Sequence, residues 1–320
     1  MTIPVLNKTV QKLLQQIQKE QHCEVDIQYK DSHAGFVRHD QVRHYFKDGK
    51  LVLEVLDQTD VNYVISHELL HVMLSLQPIP KISFNLRSGH PELDRKYIAT
   101  GMELYDILMH FFVYQRQREL GLINDQVAEL YLKGILAVLK PEPDEGHDEW
   151  NVLRTVNILD ALVFFQANQE EILPKLQELY PQTTFQAQKL FKLITLKPLD
   201  STFNIRRALV RLYKGFDEAL ASYGLYEMNL NTYVSVTPVL SKHQLNLMVR
   251  QLFDIFHTDL QEKVHFKNAY VGRMKTDQQN TFVIPQPKGN EQTRTKIFQK
   301  IYETPVDQYL NSSGVFYLKR

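Results

Sequence analysis

The stretch that most constrains this 320-residue chain is a His-Glu-Leu-Leu-His sequence at 67–71, which lies in the largely apolar run 61–76. On a helix, His67 and His71 lie one turn apart on the same face, so both rings can bind one metal ion. Glu68 is turned by about 100° from His67, and its carboxylate can reach a water molecule on that ion. The apolar surroundings would bury both imidazoles, which must then find partners. The pattern predicts a metal-binding helix; a pair of core histidines without metal is the simpler alternative.

Composition excludes several classes of protein. The chain has 37 Lys and Arg against 37 Asp and Glu, so no basic surface for nucleic acid is indicated. Hydrophobic residues make up 43% of the chain, enough for a buried core and for two domains. No apolar run reaches 18 residues, so no membrane span is predicted. The single cysteine, Cys23, excludes an internal disulfide, and the N-terminal residues lack the order of a signal peptide. Both features predict a cytoplasmic location.

The hydrophobic pattern predicts an α+β fold that is predominantly α-helical. Residues 8–20 have apolar side chains at helical spacing, whereas residues 23–29 alternate with a period of two and predict a strand. Residues 42–56 predict a β-hairpin around Asp48 and Gly49, because Asp-Gly supplies the positive φ values of a tight turn. The hairpin leads directly into the His-Glu-Leu-Leu-His helix. Candidate N-caps of that helix are Asp57, Thr59 and Asp60, and the prolines beyond its end are Pro78 and Pro80.

The remainder of the chain predicts mainly helices. A small antiparallel sheet and the metal-binding helix would form an N-terminal domain, 1–140, which also includes long helices at 97–120 and 124–140. The acidic stretch 141–150 is predicted to be a linker, although His147 among its carboxylates is a candidate for weak cation binding. Residues 151–320 are predicted to form a large, mainly helical C-terminal domain. Its helices are expected at 152–166, 172–180, 185–196, 202–223, 242–262 and 294–310, with short strands at 232–236 and 281–284.

A third metal ligand is expected on the helix that follows the His-Glu-Leu-Leu-His helix. A catalytic zinc ion commonly has three protein ligands and keeps a fourth position for water. On helix 97–120, Glu103, Asp106 and His110 fall at i, i+3 and i+7 on one face, amid apolar residues that make unpaired ionisable groups costly. Glu103 is the predicted third ligand. The alternatives are His110, Asp106 and His90.

This arrangement resembles the zincin metallopeptidases, and in particular the gluzincins, in which a glutamate on the helix after the active-site helix completes a His-His-Glu site. The resemblance rests on residues 67–71 and on the Glu103 helix, within roughly residues 40–115. The longer spacing H-E-x-x-H-x-x-G-x-x-H is absent, because Leu74 and Gln77 stand where its glycine and its last histidine would be. That absence excludes the metzincin group.

The resemblance implies a zinc-dependent peptidase with a zincin-like N-terminal domain and one zinc ion per chain. The ion would be held by His67, His71 and Glu103. Glu68 would be the general base, and Asp106 would accept a ring N–H from one of the histidine ligands. His110 would either support the ligands or donate a hydrogen bond to the developing oxyanion; a core histidine bonded to a backbone carbonyl is the alternative. The substrate would be a peptide or protein that pairs with the edge of the hairpin.

Two further classes of function remain open. One is a non-catalytic, zinc-stabilised helical protein with a regulatory or interaction role, and the other is a helical scaffold without metal. A purely structural zinc site usually draws on several cysteines, and Cys23 is alone, which favours the hydrolase. The sequence selects neither an oligomeric state nor a transition-state donor from the C-terminal half. Candidate donors there are Arg206, His243, His257 and Tyr270.

Overall fold

The computed structural model describes residues 4–143, 146 and 148–320. These residues form thirteen α-helices and eleven short strands, and about 53% of the chain is helical. The predominantly helical α+β class predicted from the sequence is therefore confirmed. The candidate cation-binding residue His147 lies outside the described residues. None of the helices described here is long and apolar enough to span a lipid bilayer.

The bounds of the elements are as follows. The helices are α1 (Lys8–Gln21), α2 (Val61–Ser75), α3 (Pro91–Glu119), α4 (Asp125–Val138), α5 (Asn151–Phe164), α6 (Gln169–Leu179), α7 (Pro181–Thr195), α8 (Thr202–Ser222), α9 (Leu230–Tyr233), α10 (Lys242–Leu245), α11 (Val249–Leu252), α12 (Glu291–Tyr302) and α13 (Val306–Ser312). The strands are β1 (Val25–Tyr29), β2 (Val42–Lys47), β3 (Lys50–Val55), β4 (Ile82–Ser83), β5 (Leu86–Arg87), β6 (Ser235–Val236), β7 (Val239–Leu240), β8 (Phe253–Glu262), β9 (Asn268–Met274), β10 (Asn280–Pro285) and β11 (Leu318–Lys319). A 3₁₀ turn at His39–Gln41 precedes β2.

The chain divides into two compact units, and neither is continuous in sequence. The first comprises Met1–Gln77 and Met109–Phe191, and the second comprises Pro78–Leu108 and Lys192–Arg320. Helix α3 contributes residues to both. The division therefore differs from the predicted domains 1–140 and 151–320, which assumed that the chain changes domain once, at the acidic stretch.

Arg154 explains why the chain does not change unit at residues 141–150. This buried arginine of α5 donates hydrogen bonds to the backbone carbonyls of Lys140 and Pro141, at 2.7 and 2.8 Å, and pairs with the carboxylate of Asp148 at 2.6 Å. A buried guanidinium is stable only when its donors are satisfied, so these contacts hold the described part of the stretch against α5. The contacts of Arg154 with Pro141 and Asp148 place these described residues of the predicted linker against α5.

The first unit contains a three-stranded sheet with the order β1-β3-β2. Strand β3 is central; it runs parallel to β1 and antiparallel to β2. The predicted hairpin is confirmed, with Asp48 at φ 51° and Gly49 at φ 75° in its turn. Strand β2 is an outer strand, and all of its residues except Val42 are exposed.

Helix α2 carries the His-Glu-Leu-Leu-His sequence and lies against α1 and the sheet. Of the three candidate N-caps, Asp60 caps the helix, since its carboxylate accepts the backbone N–H of Tyr63 at 2.9 Å. Gln117, near the end of α3, donates to the backbone carbonyl of Tyr63 and to the hydroxyl of Ser66, at 2.9 and 2.8 Å. These buried hydrogen bonds fix the position of the last turns of α3 along α2.

The second unit contains a four-stranded antiparallel sheet with the order β10-β9-β8-β5. The helix predicted at 242–262 is wrong, because α10 and α11 are short and the chain then enters β8. Pairing of β8 with β9 overrides the helix-like spacing of its apolar residues. Gly272 of β9 pairs with Phe282 of β10, and a Cβ at this position would lie 2.0 Å from the Phe282 ring. The strand predicted at 281–284 is confirmed within β10.

Asp217 in α8 gives the second unit a pH-dependent stability. Its carboxylate accepts backbone N–H groups of Met228 and Asn229, at 2.8 and 3.2 Å, and only 7% of the residue is exposed. Burial raises the pKa of Asp217 to about 6 from the ordinary 3.8. The raised pKa means that the neutral form is favoured on folding. The contribution of Asp217 to the free energy of unfolding is complete below pH 3.8, decreases as the pH rises and is lost above pH 6.

We expect Asp217→Asn to raise the free energy of unfolding by up to about 2 kcal/mol at pH 8, because the amide oxygen still accepts both N–H groups without a buried charge. The gain should largely disappear at pH 4, where Asp217 is already neutral in the folded protein. Urea unfolding of both proteins at the two pH values measures the difference. An equal gain at pH 4 and pH 8 would contradict this account.

Candidate metal centre

Three histidines of the first unit form one cluster. His67 and His71 lie one turn apart on α2, and His110 comes from α3. One nitrogen from each ring lies within 4.8 Å of those of the other two, and Nε2 of His67 is 3.1 Å from Nε2 of His71. His67 and His110 are buried, whereas His71 is partly exposed. Among the residues that the structure describes, no other such group of His, Cys, Asp or Glu side chains is suited to hold a metal ion.

The three rings could hold a metal ion. Nε2 of His67 faces the cluster, whereas its Nδ1 atom is buried and has no hydrogen-bond partner, so this ring lacks the support that metal-binding histidines usually have at the second nitrogen. Burial and then the neighbouring rings of His71 and His110 hold the pKa of His67 well below its ordinary value, and burial and His110 do the same to the pKa of His71. Both rings are therefore neutral near pH 7, which is the form that binds metal. Three imidazoles are a donor set of catalytic zinc sites.

Asp160 of α5 fixes the orientation of His110. Its Oδ1 atom lies 2.5 Å from Nδ1 of His110, and its Oδ2 atom accepts the hydroxyl groups of Tyr114, at 2.9 Å, and of Tyr131. Nδ1 of His39 lies 3.2 Å from the same Oδ2 atom. Because Nδ1 of His110 carries the proton that is donated to Asp160, Nε2 of His110 is left to bind the metal.

The charge of Asp160 is maintained although the residue is fully buried. Burial by itself would raise the pKa of Asp160, but the rings of His110 and His39 and their hydrogen bonds hold that pKa well below its usual range. A carboxylate is therefore present behind His110 throughout the neutral pH range. Such a group makes the histidine a stronger metal ligand.

We expect Asp160→Asn to weaken zinc binding by about 10- to 100-fold, since the amide lacks the charge that supports His110. Competition with a chromogenic chelator measures the affinity. Asp40→Asn is a matched control, because Asp40 is an exposed carboxylate of the same unit and pairs with Arg38 at 2.8 Å. Equal zinc affinities of Asp160→Asn and the wild type would contradict the role assigned to Asp160.

Glu68 lies beside the cluster on α2 and is held by β2. Its Oε2 atom is 2.6 Å from Nδ1 of His44, and the side chain of Glu68 is 13% exposed. The predicted general base is therefore partly shielded from solvent next to the predicted ligands His67 and His71.

The structure brings His110, and not Glu103, to the pair of histidines. Glu103 precedes His110 by seven residues, which is about 10 Å along the axis of α3, and belongs to the segment assigned to the second unit. His110 was an alternative ligand in the sequence analysis. In place of the predicted His-His-Glu set, the structure shows a group of three histidines.

The predicted hydrogen bond from a ring N–H of His67 or His71 to Asp106 is not made through Nδ1 of His67, which has no partner. A carboxylate that binds a ring N–H of the cluster is Asp160, on a different helix. The remaining candidates all belong to the second unit. They are the candidate ligand His90 and the candidate donors Arg206, His243, His257 and Tyr270. Arg206 pairs with Asp277, and His257 of β8 is the cross-strand partner of Tyr270 of β9.

Three residues near the cluster were missed in the sequence analysis: His39, His44 and Asp160. Asp160 had a usable signal, since it is a carboxylate within the apolar segment 158–165, and the cost of burying a charge applies to it as it does to His110. His39 and His44 gave no signal, because short polar segments around a hairpin are common on protein surfaces.

No protein-family model, curated protein or solved structure matches the chain. The resemblance to zincins therefore rests on the residues themselves.

Proposed function

We propose that the chain is a zinc-dependent hydrolase. The proposed activity is that of a peptidase, which cleaves peptide bonds with an activated water molecule. The observation that carries the proposal is the cluster of His67, His71 and His110 with Glu68 beside it. Two histidines and a glutamate in H-E-x-x-H spacing are an arrangement typical of such chemistry. We also propose a cytoplasmic location, because Cys23 is the sole cysteine.

The proposed mechanism assigns a role to each residue around the cluster. His67, His71 and His110 would hold one zinc ion, which when bound lowers the pKa of a water molecule towards 7 and polarises a carbonyl group. Glu68 accepts a proton from the water as the water oxygen attacks the carbonyl carbon, and it delivers that proton to the departing amine when the C–N bond breaks. Asp160 keeps His110 in the tautomer that presents Nε2.

Strand β2 is the proposed docking edge for the substrate. It is an outer strand of the first unit's sheet, and its side chain His44 contacts Glu68. An extended peptide can add to such an edge through backbone hydrogen bonds, as the resemblance to zincins implies. The proposed partner is therefore a peptide or protein substrate rather than a nucleic acid.

A zinc-stabilised protein without catalytic activity is the second candidate. The observation that favours it is the buried network of Asp160, His110, Tyr114 and Tyr131, which joins three helices and which a zinc ion would reinforce. In that case Glu68 would have no reaction to catalyse. The two candidates share the metal and differ in hydrolysis.

Metal analysis combined with a peptide-cleavage assay tests the proposal. We expect one zinc ion per chain and cleavage of members of a broad peptide library, with activity lost on chelation and restored by zinc. A wild-type protein that binds no metal after zinc supplementation would exclude both candidates. A zinc-loaded protein that cleaves no peptide would favour the non-catalytic one.

A further inference from the structure

We propose that His44 is a positioning residue for Glu68: its Nδ1–H group holds Oε2 of the carboxylate, so that Oε1 is directed to the reacting water. This inference rests on the proposed function and names a further residue that it requires. His44 lies outside the H-E-x-x-H stretch and on a different element, strand β2.

The contact between His44 and Glu68 is short, and the Glu68 side chain is partly shielded from solvent. Nδ1 of His44 and Oε2 of Glu68 are 2.6 Å apart, a distance typical of a strong hydrogen bond to a charged acceptor. The two side chains are 34% and 13% exposed, so water competes only partly for the same atoms. A hydrogen bond of this kind restricts rotation of the carboxylate about its last side-chain torsion, which is otherwise broad.

The register of the hairpin directs His44 towards α2. Alternate residues of a strand share a face, so His44 lies on the same face as Val42, which is buried, and opposite to Arg43, which pairs with Glu54. His44 is paired with the buried Leu53 of β3. A shift of one residue in this register would turn His44 away from Glu68, and the two-residue turn prevents it.

The placement of His44 links substrate binding to the general base. The strand that holds Glu68 in position is also the strand to which an extended substrate would pair. A well-ordered β2 therefore serves two purposes: its backbone binds the peptide, and its His44 side chain orients the general base. A base held in one orientation contributes to the rate because the reacting groups start close to the geometry of the transition state.

Substitution of His44 tests the inference through the separation of kcat from KM. We expect His44→Ala to lower kcat by about 10- to 100-fold, with KM changed by less than about threefold and one zinc ion retained. His44→Asn should recover kcat to within about fivefold of the wild type, because the amide nitrogen can donate from nearly the position of Nδ1. His33→Ala, at an exposed histidine of the same unit, is the matched control and should leave kcat unchanged.

The outcomes separate this inference from the function on which it rests. If the wild type cleaves peptides and His44→Ala is equally active, or His44→Asn is as impaired as His44→Ala, the positioning role is overturned. If the wild type cleaves nothing, the proposed function fails, and this role fails with it.

The tautomer of His44 provides a readout that does not depend on activity. In the full chain labelled with ¹⁵N-histidine, we expect the His44 resonances, assigned by their loss in His44→Asn, to show the Nδ1–H tautomer. In Glu68→Ala the population should move towards Nε2–H, because the acceptor of the Nδ1 proton is gone. The same tautomer in both proteins would overturn the proposed hydrogen bond.

Discussion

Glu68→Gln is expected to lower kcat for peptide cleavage by about 10²- to 10⁴-fold while one zinc ion per chain is retained. Glutamine has the size of glutamate and can still accept the hydrogen bond from His44, but it cannot take a proton from water. His67, His71 and His110 are unchanged in this variant, so metal binding should be unaffected. Steady-state kinetics and metal analysis on the same preparation measure both quantities.

Glu129→Gln is the matched control for this substitution. Glu129 is an exposed residue of α4 in the same unit and makes none of the contacts described at the cluster. Its substitution removes one carboxylate from the surface and should leave kcat and zinc content at the wild-type values. Full activity of Glu68→Gln would contradict the assignment of Glu68 as the general base.

The parts of the fold that were predicted correctly depend on local chemistry. The Asp48-Gly49 turn, an N-cap within residues 57–60 and the apolar run of α2 are each decided within a few residues of sequence. These elements also carry Glu68 and both α2 histidines. The two α2 members of the histidine cluster were therefore accessible from sequence alone.

The third member of the histidine cluster could not be selected from local pattern. Glu103 and His110 are seven residues apart, so they lie on nearly the same face of α3 and differ by about 10 Å along its axis. Which of them reaches the α2 histidines depends on how far α3 is displaced along α2. That displacement is fixed by the tertiary hydrogen bonds of Gln117, which no periodicity reveals.

Other differences between the predicted and the observed structure also have a long-range origin. Asp160 follows the acidic stretch that is predicted to separate two domains, and the packing of α5 in the first unit brings it to His110. Strand β8 has apolar residues that also match a helical period, and pairing with β9 decides between the two. In both cases the structure depends on a contact with another segment, and the sequence of one segment alone does not reveal that contact.

The identity of the third ligand leads to the second large prediction. We expect His110→Asn to reduce zinc affinity by more than about 100-fold, beyond the range typical of residues that only support a ligand. Asparagine is chosen because its amide can still donate to Asp160 in place of Nδ1, so the buried carboxylate keeps a partner while the nitrogen that faces His67 and His71 is removed. Chelator competition gives the affinity, and thermal unfolding checks that the variant is folded.

Glu103→Gln separates the two possible ligand sets, because it alters the same face of the same helix two turns away. With a His67–His71–His110 site, this variant should bind zinc as tightly as the wild type. With the His-His-Glu site that the resemblance to gluzincins implies, the zinc would be lost in Glu103→Gln and largely retained in His110→Asn. The variant that loses zinc is His110→Asn for the first ligand set and Glu103→Gln for the second. Measuring the zinc affinity of both variants therefore decides which residue completes the metal centre.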